Sequence, residues 1–160
     1  MAKKKVKPIP PGYHSVTPYL VVAGAARAIA FYNQAFGATE VLRIPDDRGG
    51  IGHAEITIGN SHVMLSDEYP EVGARAPGTL GGSPVSLLLY VADVDQTVER
   101  AVAAGATVQR PIEDKFYGDR SGSLVDPFGH IWHVSTHTED VAPDELKRRA
   151  EDYMAKLKQG

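Results

Sequence analysis

Phe36-Gly37-Ala38-Thr39 returns 68 positions later as Ala104-Gly105-Ala106-Thr107. The same offset relates Asn60-Ser61-His62-Val63-Met64-Leu65 to Phe128-Gly129-His130-Ile131-Trp132-His133. Identity between the copies is low, so the argument for a repeat rests on the order of patterns around each glycine. Before each glycine stand a β-like run, Val16–Val22 or Val85–Val91, and then a helical stripe. The first stripe is Ile29, Tyr32 and Phe36; the second is Val94, Val98, Ala101 and Val102, opened by Asp93 and Gln96 as a capping box. Gly37 and Gly105 sit where a helix ends on a left-handed residue. Three short strand-like pieces follow each glycine: Thr39–Ile44, Gly52–Ile58 and His62–Ser66, then Thr107–Ile112, Tyr117–Val125 and His130–Thr136. The predicted fold is therefore α+β, a tandem of βαβββ units.

Working outward, residues 69–84 are rich in proline and glycine and form the expected linker between unit one (13–68) and unit two (85–137). Residues 138–160 form a helical tail, with Pro143 in its first turn and Leu146, Ala150, Tyr153 and Leu157 at helical spacing. That spacing suits a helix packed on its own domain, with a dimer-clasping helix as the alternative. Residues 1–12 form a basic, proline-rich arm with four lysines, without the apolar run of a signal peptide. The chain has 160 residues, 42% hydrophobic and 23% charged, values that exclude wholesale disorder. Its longest apolar runs fall far short of the ~20 residues that span a bilayer. A net charge of −3 argues against a nucleic-acid partner. The sequence contains no cysteine, which removes disulfides, thiolate metal sites and Cys nucleophiles, and agrees with an expected cytoplasmic location.

Ala30-Phe31-Tyr32-Asn33-Gln34-Ala35-Phe36-Gly37-Ala38, Val91-Ala92-Asp93-Val94-Asp95, Ala104-Gly105-Ala106 and Asp126-Pro127-Phe128-Gly129-His130-Ile131-Trp132 together resemble the vicinal oxygen chelate superfamily. That group contains glyoxalase I, extradiol dioxygenases, fosfomycin-modifying enzymes and bleomycin-sequestering proteins. His53-Ala54-Glu55, Met64-Leu65-Ser66-Asp67-Glu68 and Tyr117-Gly118-Asp119-Arg120-Ser121-Gly122 are similar to the branch around the B protein of phosphonate-utilisation operons. The resemblance covers Ser15 to Thr136. It implies a cup-shaped mixed sheet around a ligand cavity, helices on the convex face, and units that come from one chain or are exchanged in a homodimer.

Family enzymes hold one divalent metal on the first and last strands of each unit. Carried over, those places fall on Thr17, Leu65, Ser86 and His133, and only His133 is a good ligand. The expectation is therefore no cofactor and no metal site, with a divalent metal open as the alternative through His14, His53, Glu55 or His133. Strand alternation puts Thr17, Tyr19, His53, Glu55, Ser86, Leu88, Tyr90 and His133 on the face away from the apolar one. With Leu65, Tyr117 and Arg120 they make up the expected ligand-binding set, mixed as a pocket for a small amphipathic molecule is mixed. Arg120 either reaches an anionic ligand or pairs with a nearby carboxylate.

Three functions follow. The first is a bleomycin-resistance-like protein that binds a small organic molecule without the usual metal. The second is a lyase, isomerase or dioxygenase-type enzyme, metal-dependent or using Glu55 or His133 as base. The third is a dimeric interaction protein with a vestigial cup. The expected partners are a small organic ligand or substrate and a second copy of the chain, with no nucleic acid and no membrane.

Overall fold

The computed structural model describes residues 6–160; the lysines at the start of the basic arm lie outside the described residues. The chain divides after Gly82 into two units. Unit one runs β1 (Tyr19–Val22), α1 (Ala25–Phe36), β2 (Thr39–Pro45), β3 (Ile51–Ile58) and β4 (Ser61–Asp67). A 3₁₀ turn at Pro70–Val72 and a short helix α2 (Pro77–Leu80) follow. Unit two repeats the order as β5 (Ser86–Tyr90), α3 (Val94–Ala103), β6 (Thr107–Asp114), β7 (Asp119–Val125) and β8 (Ile131–His137), and adds α4 (Pro143–Leu157). Each sheet has four strands, in the order β1-β4-β3-β2 and β5-β8-β7-β6. The first strand of each pairs parallel with the last, and the other neighbours are antiparallel. This is the predicted α+β tandem of βαβββ units.

Local chemistry sets the element ends. Gly37 closes α1 at φ 68° and donates its N–H to Asn33 O, a backbone state that residues with a Cβ rarely adopt. Asp93 caps α3 by accepting the Gln96 N–H at 2.9 Å. β1 is shorter than the sequence pattern predicts: it starts after Pro18, which has no N–H to give, and Val16 is fully exposed. Tyr117-Gly118 belongs to the β6–β7 turn rather than to β7, with Gly118 at φ 93°.

In unit one, Ile29, Tyr32 and Phe36 of α1 are buried together with Leu20, Val22, Ala54, Ile56, Ile58, Val63 and Leu65 from the sheet. In unit two, Val94, Val98 and Ala101 of α3 are buried with Leu124, Trp132 and Val134, whereas Val102, expected in the same stripe, is 44% exposed. Asp126 holds the β7–β8 turn by accepting N–H groups of Phe128, His130 and the Trp132 indole. The tail helix α4 is tied to its own unit: Arg149 donates to Phe116 O and pairs with Glu139, and Tyr153 lies 5.2 Å from Phe116, ring to ring. Among the described residues no helix is long and apolar enough to cross a membrane.

The two units differ by one residue in their last hairpin. Ile58 pairs with Ser61 across Gly59-Asn60, whereas Asp126 donates to His130 O across Pro127-Phe128-Gly129. The repeat offset is thus 68 between β3 and β7 but 69 between β4 and β8: Glu55 pairs with Met64 as Ser123 pairs with His133. The counterpart of His133 is Met64, not Leu65.

Candidate functional site

The face of each sheet opposite its helix is open, and registered pairs run across it in rows. In unit one Tyr19 stands beside Met64, Met64 beside Glu55, and Glu55 beside Leu42. In unit two the matching row is Leu88, His133, Ser123 and Arg110.

The open face of unit one carries a chain of hydrogen bonds. The Tyr13 hydroxyl donates to Glu55 Oε2. Glu55 Oε1 lies 3.2 Å from His53 Nε2, and His53 Nδ1 lies 2.9 Å from the Tyr19 hydroxyl. The Glu55 side chain is only 15% exposed, so both of its oxygens are engaged in a partly dry setting. Tyr13 stands just after the arm, ahead of β1. Its ring stacks on His62 at 3.9 Å, and His62 Nδ1 is 2.9 Å from Gly12 O. Beside Tyr19 a cavity of about 420 Å³ opens, lined by Val21, Ile51, Ser66, Asp67 and Tyr69 among others. Asp67 is fully engaged there, accepting N–H groups of Gly24, Ala25 and Ile51.

Unit two is organised differently. His133 Nε2 is 3.2 Å from Ser86 Oγ. Asp119, 4% exposed, accepts the Tyr90 hydroxyl at 3.0 Å and pairs with His137 Nδ1 at 2.7 Å; His137 Nε2 meets Asp140 at 2.8 Å. Hydrogen bonds to Asp119, then to Asp140, hold the His137 imidazole above its ordinary range. The bond to Asp119 likewise raises the Tyr90 phenol. Ser121 and Ser135, both buried, satisfy each other at 2.7 Å.

Most of the expected set therefore lies on the open faces: Tyr19, His53 and Glu55 in unit one, Ser86, Leu88, Tyr90 and His133 in unit two. Thr17 precedes β1 and is half-buried. Leu65 corrects the sequence reading. It is 0% exposed, in register with Leu20 and Ala54 on the helix side, because the shorter hairpin moves the open-face place to Met64. Arg120 takes the carboxylate-paired course of the two the sequence leaves open. It makes two bonds to Asp95 of the helix α3 and one to Asp114, so its guanidinium is taken by nearby carboxylates. Tyr117 sits in the turn beside Phe116, 40% exposed. Sequence reasoning missed Tyr13, Met64 and Asp119. Alternation along 119, 121 and 123 is the signal that could have found Asp119, whereas Tyr13 stands ahead of β1, where no strand period reaches it.

The metal places of the family do not carry a matching donor set. In unit one they hold a threonine outside the strand and the thioether of Met64; in unit two the His133 nitrogen already meets a serine. Among the described residues, no three His, Cys, Asp or Glu side chains come together in a metal-holding group.

The sequence profile of the Glyoxalase/Bleomycin resistance protein/Dioxygenase superfamily matches residues 12–134. The chain belongs to this superfamily. It is 43% identical over 136 residues to the uncharacterised protein Mb0911c of Mycobacterium bovis, covering 83% of this chain and 90% of that one. The crystal structure of TioX from Micromonospora sp. ML1 is similar at TM-score 0.62 and 30% identity, over 78% of this chain and 98% of that one. The PhnB protein of Bacillus cereus shares the superfamily fold at TM-score 0.60 and 20% identity, over 77% of this chain and 99% of that one.

Proposed function

We propose that this superfamily member binds a small organic molecule with a hydroxyl donor on the open face of unit one, with Glu55 as acceptor. The carrying observation is the seating of Tyr13: a phenol from the segment ahead of β1 is docked on Glu55 and stacked on His62. Its chemistry supports a site that accepts an aromatic ring bearing an O–H. His53 holds the second Glu55 oxygen, and Tyr19 carries the same chain of bonds to the edge of the adjoining cavity. The exposed apolar surface of Tyr19 and the thioether of Met64 supply the non-directional part of such a contact.

The test is a calorimetric titration with phenol, p-cresol and catechol on the wild-type protein and on Glu55→Gln. Saturable binding that falls about tenfold or more in Glu55→Gln supports the proposal, since an acceptor-only carboxylate is replaced by an amide. Affinity unchanged by the substitution, or no binding of any of these compounds, would overturn it.

A second reading, an enzyme with Glu55 as general base, is favoured by the His53 contact, which orients the carboxylate as a base must be oriented. It predicts conversion of the bound compound, lost in Glu55→Gln while binding is weakened less than turnover. Stoichiometric binding with the ligand recovered unchanged supports the binding protein instead.

A further inference from the structure

A second cavity, of about 490 Å³, lies within unit two between the β6–β7 turn and α4. Its walls include Phe116, Tyr117 and Tyr153, with Arg110, Lys115, Glu113 and Asp114 around them. The Phe116 ring is 5.3 Å from Tyr117 in an edge arrangement and 5.2 Å from Tyr153 in a tilted one, so the three rings form an aromatic corner. The charges around it pair off, with one exception. Lys115 meets Glu113 at 2.8 Å, and Asp114 meets Arg120 at 3.2 Å. The Arg110 guanidinium makes no hydrogen bond or ion pair among the described residues, and neither do the hydroxyls of Tyr117 and Tyr153. Arg110 is paired in register with Ser123, which puts it on the open-face row of His133.

We propose that this pocket binds a planar aromatic carboxylate, its ring on Phe116 and Tyr153 and its anionic group on Arg110. A guanidinium offers donors in a flat fork that matches a carboxylate, and the tyrosine hydroxyls are further donors at the same mouth. An aromatic corner next to one surplus cation selects against two simpler ligands. An aliphatic anion leaves the rings uncovered, and a neutral aromatic leaves the guanidinium without a partner. The pocket is also held in shape. Arg149 fastens α4 to Phe116 O and Glu139, and Gly118 gives its carbonyl to the N–H groups of Thr138 and Glu139. A Cβ at Gly118 would come within 2.2 Å of Glu139 O, so a side chain there would displace the turn that carries Phe116 and Tyr117.

The experiment is calorimetric titration of the full-length protein with 2-naphthoate, and with acetate and 2-naphthalenemethanol as the anion-only and ring-only probes. The expected result is saturable binding of 2-naphthoate, at least about tenfold tighter than either control. Arg110→Ala is expected to lower that affinity about tenfold, with Arg110→Lys between it and wild type, and Tyr153→Ala weakened as well. Arg43→Ala, which removes the same charge from β2 of unit one, leaves the affinity as it is. Amide shift changes on adding 2-naphthoate should centre on residues 110–117 and 153, which keeps the proposal open to refutation if a variant loses its fold. Three results would overturn it: acetate binding as tightly as 2-naphthoate, equal losses in Arg110→Ala and Arg43→Ala, or shift changes confined to other residues.

Discussion

Where unit one sets Tyr19, Met64, Glu55 and Leu42 in a row across its open face, unit two sets Leu88, His133, Ser123 and Arg110. The backbone is the same and the chemistry is inverted. The middle strand carries a carboxylate in the first unit and a hydroxyl in the second, and the outer strand carries a leucine in the first and a cation in the second. The helix sides diverge much less, because each must fill the space under one helix with apolar volume. A duplicated βαβββ unit thus keeps its core and varies its open face, and that face is where function has to be sought.

The largest expected effect sharpens the placement of the two faces. Leu65→Ala, at a fully buried place on the helix side, should destabilise the protein by about 2–5 kcal/mol in denaturant unfolding. Met64→Ala, on the half-buried open face, should cost clearly less. Equal costs would mean that the faces are assigned wrongly.

Next comes the carboxylate that only unit two possesses. Asp119→Ala leaves the Tyr90 hydroxyl and His137 without their shared partner, at a cost of about 1–3 kcal/mol by the same measurement. Ile51→Val, at the corresponding place in unit one, probes packing alone, so its cost should not change with pH.

A smaller effect is the pH dependence of that cluster. Asp119 and Asp140 raise the folded-state value of His137 above that of the unfolded chain. The stabilisation is therefore complete below the unfolded value of about 6.5 and is lost as pH rises through the raised folded one. The melting temperature should fall as pH rises above about 6.5 and through the raised folded-state value, and His137→Gln should remove that component of the fall. A fall of equal size in His137→Gln would assign it to other groups.

The smallest effect expected concerns metals. Incubation with zinc, nickel, manganese or iron(II), followed by elemental analysis, should leave well below one tightly held ion per chain, because neither row offers a full donor set. One ion per chain would return attention to His53 and Glu55.

The fold was legible because repeated glycines, helical stripes and strand alternation are local signals, and each is enforced by a buried face. Tyr19, His53 and Glu55 were legible for the same reason: Tyr19 alternates with Leu20, and His53 and Glu55 with Ala54 and Ile56. Leu65 was not, because a single extra residue in one hairpin reverses every side chain after it. Tyr13 was out of reach as well: its bond to Glu55 spans 42 residues and starts ahead of β1, in a segment without periodicity. Arg120 could be read as a cation but not assigned, since its choice of Asp95 depends on where α3 lies over the sheet.

The most direct test of the account is an amide and side-chain shift map of the isotope-labelled protein titrated with p-cresol, the free counterpart of the Tyr13 side chain. The account predicts saturable changes centred on Tyr13, Tyr19, His53, Glu55, His62 and Met64, and their loss in Glu55→Gln. Changes centred on the helix-side residues, or none at saturating p-cresol, would contradict it.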